Sequence, residues 1–178
     1  MEKSLFALLF IFSFGFSFAQ ENPNLTTLRI GSYKIKMTKE EAEKIAKTSL
    51  QLTDHSQENR KKNMVKYSGE EIEVEITENY VSETEPNVLQ ISALATKSPK
   101  FRTKNGMGVG STRKEILNAY LDYPNFSVDQ KWDYKTNKNS TKISAISLED
   151  RDAWTTLEFT LVDNFCTEVS VHFTEEGD

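Results

Sequence analysis

One short pattern used twice, Thr-x-x-Glu ahead of an amphipathic run, constrains this chain more than any other feature. The first copy reads Tyr33-Lys-Ile-Lys-Met-Thr38-Lys-Glu-Glu41-Ala-Glu-Lys-Ile45, and the second reads Met107-Gly-Val-Gly-Ser-Thr112-Arg-Lys-Glu115-Ile-Leu-Asn-Ala119. Their threonines are 74 residues apart. In such a capping box the Thr hydroxyl accepts from the amide three residues on, and the Glu carboxylate accepts from the cap's own N–H. The pattern therefore predicts two helix starts, with helices running from Lys39 to Leu52 and from Arg113 to Tyr123. On the first, Ala42, Ile45, Ala46 and Ser49 or Leu50 share a face at helical spacing. On the second, Ile116, Leu117, Tyr120 and Tyr123 do so, and Pro124 stops the run. Helices this short are marginal alone and need a sheet to lie on.

The sheet is written after each helix. Glu70 to Glu78 alternates strictly, with Ile72, Val74 and Ile76 on one side and glutamates on the other, and Leu89, Ile91 and Ala93 continue the period. In the second half Leu157, Phe159 and Leu161 alternate with polar residues. Asp163-Asn164 forms a turn, and Val169, Val171 and Phe173 alternate in their turn. This is a hairpin with one wet face. A further strand is expected from Lys142 to Leu148, and polar loops over 53–62, 79–87 and 129–141. The expected class is α+β, with two similar helix-then-antiparallel-strands units and the helices packed on one face of the sheet. The units span residues 20–96 and 97–178, after a leader over 1–19.

The run of alternating lead-in, Thr-base-x-Glu, helix, then strands ending in a turn and Val-x-Val resembles the SmpA/OmlA group of small outer-membrane assembly lipoproteins. The tandem arrangement is similar to the beta-lactamase inhibitory protein family, built from two like helix-plus-strand units. The resemblance covers most of residues 28–173 and implies an architecture of paired helix-on-sheet modules. It also suggests, as one alternative, a protein inhibitor or immunity factor.

The leader sets the compartment. An apolar run from Leu5 to Phe18 holds six of the 11 phenylalanines, follows Lys3, and closes on Ser17-Phe18-Ala19 before Gln20. That is the layout of a cleaved secretory signal, too short to span a bilayer as a mature helix. We expect a secreted or periplasmic protein of a bacterial envelope, with no stable membrane insertion after cleavage. Gln20 stands where a lipoprotein would carry its acylated cysteine, so no lipid anchor is expected. Cys166 is the single cysteine, which closes no internal disulfide. Three Asn-x-Ser/Thr sequons, at Asn24, Asn125 and Asn139, matter only in a eukaryotic host.

Chemistry is harder to find. The glycine-rich run Gly106 to Thr112 lacks the lysine of a phosphate-binding loop and reads as a turn into a capped helix. Glu149-Asp150-Arg151-Asp152 lacks the frame of a calcium loop. His55 and His172 are isolated, so no metal site is expected and no cofactor is implied. Cys166 and His172 sit six apart on one strand, too far for a nucleophilic pair.

Charge, by contrast, is segregated. Residues 70–85 carry seven acids and no base, whereas residues 97–114 carry six bases and no acid. The net charge of −5 gives no general attraction to nucleic acid. Trp132, Tyr134 and Trp154 fall in or near loops, where aromatic residues can anchor a partner. The candidate binding residues are these three together with Lys100, Arg102, Lys104 and Arg113. The expected function is a non-catalytic exported binding protein, not an enzyme. It would recognise a protein or other envelope macromolecule through a sheet face or this aromatic and basic surface. A secreted hydrolase with a carboxylate-based site is the alternative from another class.

Overall fold

The computed structural model describes residues 24–54, 62–79, 86–133 and 136–174. The leader, His55 and Tyr134 lie outside the described residues, as do 80–85 of the acidic stretch. Short strands β1 (Arg29–Ile30) and β2 (Tyr33–Lys34) form a hairpin, followed by helix α1 (Lys39–Ala46). Strands β3 (Asn63–Tyr67), β4 (Glu70–Asn79) and β5 (Val88–Thr96) come next, then helix α2 (Arg113–Tyr120). The chain finishes with β6 (Phe126–Asp133), β7 (Lys138–Asp150), β8 (Thr155–Val162) and β9 (Phe165–Phe173). Strands β3 to β9 form one seven-stranded antiparallel sheet in the order β3-β4-β5-β9-β8-β7-β6. The fold is α+β, as expected.

Both helices start where the sequence puts them. Thr38 and Thr112 are extended N-caps, and each makes both bonds of the capping box with Glu41 or Glu115. Both helices end sooner than predicted. Lys47 turns left-handed (φ 54°) and its N–H donates to the Glu43 carbonyl, closing α1 after Ala46. Glu43 then accepts from Lys39 Nζ at 2.6 Å and from the Leu50 amide at 2.8 Å, tying down the chain beyond the helix. Because α1 is short, Ile45 ends up 39% exposed, while Ala42 and Leu50 are buried. The second helix stops at Tyr120, where a turn from the Tyr123 amide to the Tyr120 carbonyl precedes Pro124.

Strand pairing sorts side chains onto two faces, because directly opposed residues point the same way. One row, Asn63-Val74-Leu94-Val171-Leu157-Leu148-Phe126, crosses all seven strands and faces inward. A parallel row runs Thr96-Val169-Phe159-Ile146-Val128. These rows pack in one core with Ala42 of α1, Ile116 and Tyr120 of α2, and Ile30, Tyr33 and Ile35 around the N-terminal hairpin. Tyr120 donates to Thr103 Oγ1 at 2.6 Å and sits 6.0 Å from the Phe159 ring.

Three expectations about the strands are corrected. First, a bulge at Ser92 lets Ile76 face Ile91 but Glu75 face Ala93, so Ala93 leaves the inward register and Leu94 takes its place. Second, residues 129–141, expected as a loop, hold most of β6 and the start of β7. Third, β7 begins at Lys138, four residues before Lys142.

Candidate functional site

The inward rows have a counterpart on the other side of the sheet. Met64-Glu73-Ala95-Ser170-Glu158-Ser147-Ser127 crosses all seven strands on the outward face. Beside it runs Glu75-Ala93-His172-Thr156-Glu149. On β5 and β9 the outward positions Ala93, Ala95 and Ser170 are small, while Glu73 and Glu75 stand beside them on β4 and Glu158 on β8. The alternation that buries valine and isoleucine on one face thus leaves a shallow trough on the other.

Three adjoining clefts map the trough. One of about 510 Å³ runs from Pro99, Ser98 and Lys97 over Glu70, Glu71 and Glu73 to Ala95 and Glu168. A second of about 260 Å³ shares Glu73, Ala95 and Glu168 and adds Glu75, Ala93, Ser170 and His172. A third of about 590 Å³ shares His172 and continues over Thr156, Ser147, Glu149 and Asp129 to Phe126 and Arg151. Seven carboxylates line these clefts (Glu70, Glu71, Glu73, Glu75, Glu149, Glu168, Asp129) against three cations (Lys62, Lys97, Arg151).

Several of the acids are answered from the rim. Lys62 reaches Glu73 at 2.7 Å, Lys100 reaches Glu70 at 2.6 Å, and Lys97 approaches Glu168 at 3.6 Å. Lys131, at the register shift between β6 and β7, crosses β7 to meet Glu158 at 2.7 Å. Even with Glu158 and its partner Lys131 and with Lys100 and Lys66 counted, carboxylates outnumber cations among the described residues of this face. The trough is acidic.

Three carboxylates are held in the charged form, one of them in the trough. The Lys100 ammonium, then the Ser98 hydroxyl, hold the Glu70 carboxyl below its ordinary range. The Thr112 backbone N–H does the same for Glu115, and Lys39 does so for Glu43. All three shifts keep a carboxylate ionised, the reverse of what a general acid at neutral pH requires. Cys166 and His172 share β9 but face opposite sides of the sheet, Cys166 into the core and His172 into the trough. Burial pushes the Cys166 thiol up to about 12, so it is no nucleophile at neutral pH. In the glycine-rich run, the Gly110 amide donates to the Cys166 carbonyl and the Gly108 amide to Ser111 Oγ. The Thr112 amide donates to Glu115 at 2.7 Å. A resident carboxylate thus occupies the place an anion would take.

The candidate residues read from the sequence are divided by the structure. Trp132, 47% exposed on the edge strand β6, is paired with Asn139 near the start of β7. Trp154, 57% exposed with φ 57°, lies in the turn after Asp150 at the other end of β7. The two are separated by most of that strand, roughly 35 Å at ~3.3 Å per residue. Arg113 lies at the Trp132 end, where its amide donates to the Asn164 carbonyl. Lys100 is engaged with Glu70, and Arg102 Nη1 donates to Ser111 Oγ at 3.3 Å. Lys104 is exposed. The basic segment therefore meets the acidic stretch through the Lys100–Glu70 pair instead of standing opposite it. Sequence reasoning missed the trough floor, because alanine and serine carry no signal until registry aligns them across strands.

No protein family, characterised protein or solved structure matches this chain in comparisons by family, by sequence or by fold.

Proposed function

We propose that this is an exported, non-catalytic binding protein whose open sheet face receives a macromolecular partner. The observation that carries the reading is the outward row from Met64 to Ser127, a largely polar surface as wide as the sheet and left uncovered by the described residues. A sheet that needed only solubility would carry long charged residues throughout. Here the two central strands, β5 and β9, carry alanine, serine and a histidine between walls of glutamate.

The proposal includes two like units joined at that centre. Each unit ends in the strand that pairs at the seam, β5 in one and β9 in the other. Thr38, the first cap, bridges to Gln90 of β5, and Thr112, the second cap, bridges to Phe165 of β9. Each cap bridges to the last strand of its own unit, which supports duplication around the β5–β9 pair. The trough straddles this seam, so neither unit alone would present it.

The test is site-specific photo-cross-linking in secreted and envelope fractions. A photoreactive residue replacing Ser170 should yield a discrete cross-linked species. The same residue replacing Leu121, an exposed position beyond α2, should not. Equal products from both positions, or none from position 170, would overturn the reading.

A further inference from the structure

We propose that the occupant of the trough is an extended, cationic polypeptide segment; this rests on the open face being the binding surface and specifies what binds there. Three observations on the page converge. The first is charge. Among the described residues carboxylates exceed cations in each of the three clefts, from Glu70, Glu71, Glu73 and Glu168 against Lys97 in the first to Asp129 and Glu149 against Arg151 in the third. A partner bearing lysine or arginine is drawn in and oriented by this field, and an acidic one is repelled.

The second is shape. The adjoining clefts form one continuous path, linked through Glu73, Ala95 and Glu168 and then through His172, from the β3–β5 side of the sheet to Phe126 at the start of β6. A path this elongated and shallow suits a chain lying along it and does not enclose a compact small molecule, which would seek a deep apolar pocket. The third is the floor. Ala93, Ala95, Ser170 and Ser147 keep side chains short where a backbone would have to approach, and Ser147 and Ser170 offer hydroxyls to it. Lysine or arginine side chains on alternate positions of an extended segment would reach the walls.

The rim cations fit the same picture. Lys62, Lys97 and Arg151 are 55%, 78% and 70% exposed at their side chains, and they pair with acids that a guest cation could take over. Exchanging one exposed ion pair for another costs little. The resting pairs therefore hold the acids apart without closing the site.

The experiment is fluorescence anisotropy of labelled decapeptides with alternating arginine and serine, or alternating glutamate and serine, at low and physiological salt. The arginine peptide is expected to bind, with affinity falling as salt rises. The glutamate peptide is expected not to bind. The combined change Glu73→Gln, Glu75→Gln and Glu168→Gln should weaken the arginine peptide by about tenfold or more. The control Glu40→Gln, Asp122→Asn and Asp152→Asn alters net charge equally at exposed positions outside the clefts and should leave affinity within about twofold. Ser170→Trp, with its melting temperature recorded, should block binding by filling the floor.

Equal losses from both triple variants would reduce the interaction to net charge and overturn the inference. So would binding that survives Ser170→Trp, or no binding of the arginine peptide. Cross-linking from position 170 without arginine-peptide binding would leave the face as a binding surface and refute only the cationic occupant.

Discussion

Removing a hydroxyl from the middle of the core should make this protein more stable. Tyr33 is fully buried in β2, and its hydroxyl finds no hydrogen-bond partner among the described residues. Burial also raises its pKa, as it does for a phenol kept from water. A buried polar group without a partner costs about 1–3 kcal/mol relative to its hydrated state. Tyr33→Phe removes that group and keeps the ring, which packs beside Ile30 and Ile35 in the core. The expected gain is about 1 kcal/mol, at the low end because a hydroxyl-sized void remains. For a domain of this size that is roughly 3 °C in melting temperature. Thr155→Val is the parallel case, since the Thr155 hydroxyl is fully buried and also lacks a partner among the described residues. Urea titration with an unchanged slope and a raised midpoint would carry the point. A loss of 1 kcal/mol or more in both variants would mean that these hydroxyls are satisfied, and the reasoning from orphaned core groups would fail.

Thr38→Ala and Thr112→Ala should each cost about 1 kcal/mol in denaturant titrations, because each removes one arm of a complete capping box. Gly31→Ala should cost about 2 kcal/mol, since Gly31 has φ +59° and a Cβ there would lie 2.8 Å from the Tyr67 ring. Thermal melts of that variant would show the loss. Acid titration followed by circular dichroism gives another check. Glu43, Glu70 and Glu115 have folded-state pKa values below their unfolded ones, so the stability they contribute is full above the ordinary carboxylate range. It is lost as the pH falls through the depressed values. The melting temperature should hold from neutrality to about pH 5 and drop below it. A drop beginning near pH 6.5 would point to a histidine instead.

The parts of the fold that could be read from sequence are those where local chemistry and periodicity agree. Thr38 and Thr112 announce helix starts because a cap and its returning glutamate lie three residues apart. Glu70 to Glu78 announces a strand because one face is buried and one is wet. The Asp163-Asn164 turn is legible because both residues tolerate the left-handed backbone they adopt, with φ 48° and 69°. Edge strand β6 was hidden because its residues are at most half-buried and its pairing with β7 shifts register between Gln130 and Trp132. Strand β3 is short, and it buries a polar residue, Asn63, whose amide donates to the Gln51 and Val74 carbonyls. The Ser92 bulge put Ala93 on the wrong side of any strict period. Of the candidate site, the glutamate wall on β4 was visible as a charge run. Its floor depended on pairing between strands far apart in sequence, which no local pattern records.

Thiol labelling tests the central claim most directly, because the native chain supplies a silent background. Cys166 is buried with its pKa pushed up to about 12, so a cysteine introduced at Ala95 would be the reactive one. Maleimide labelling of Ala95→Cys should slow severalfold once the partner species identified through the position-170 cross-link is purified on its own and added, while labelling of Lys47→Cys, exposed at the end of α1, stays unchanged. Equal labelling rates at position 95 with and without that species would place the partner elsewhere and end the account of the open sheet face.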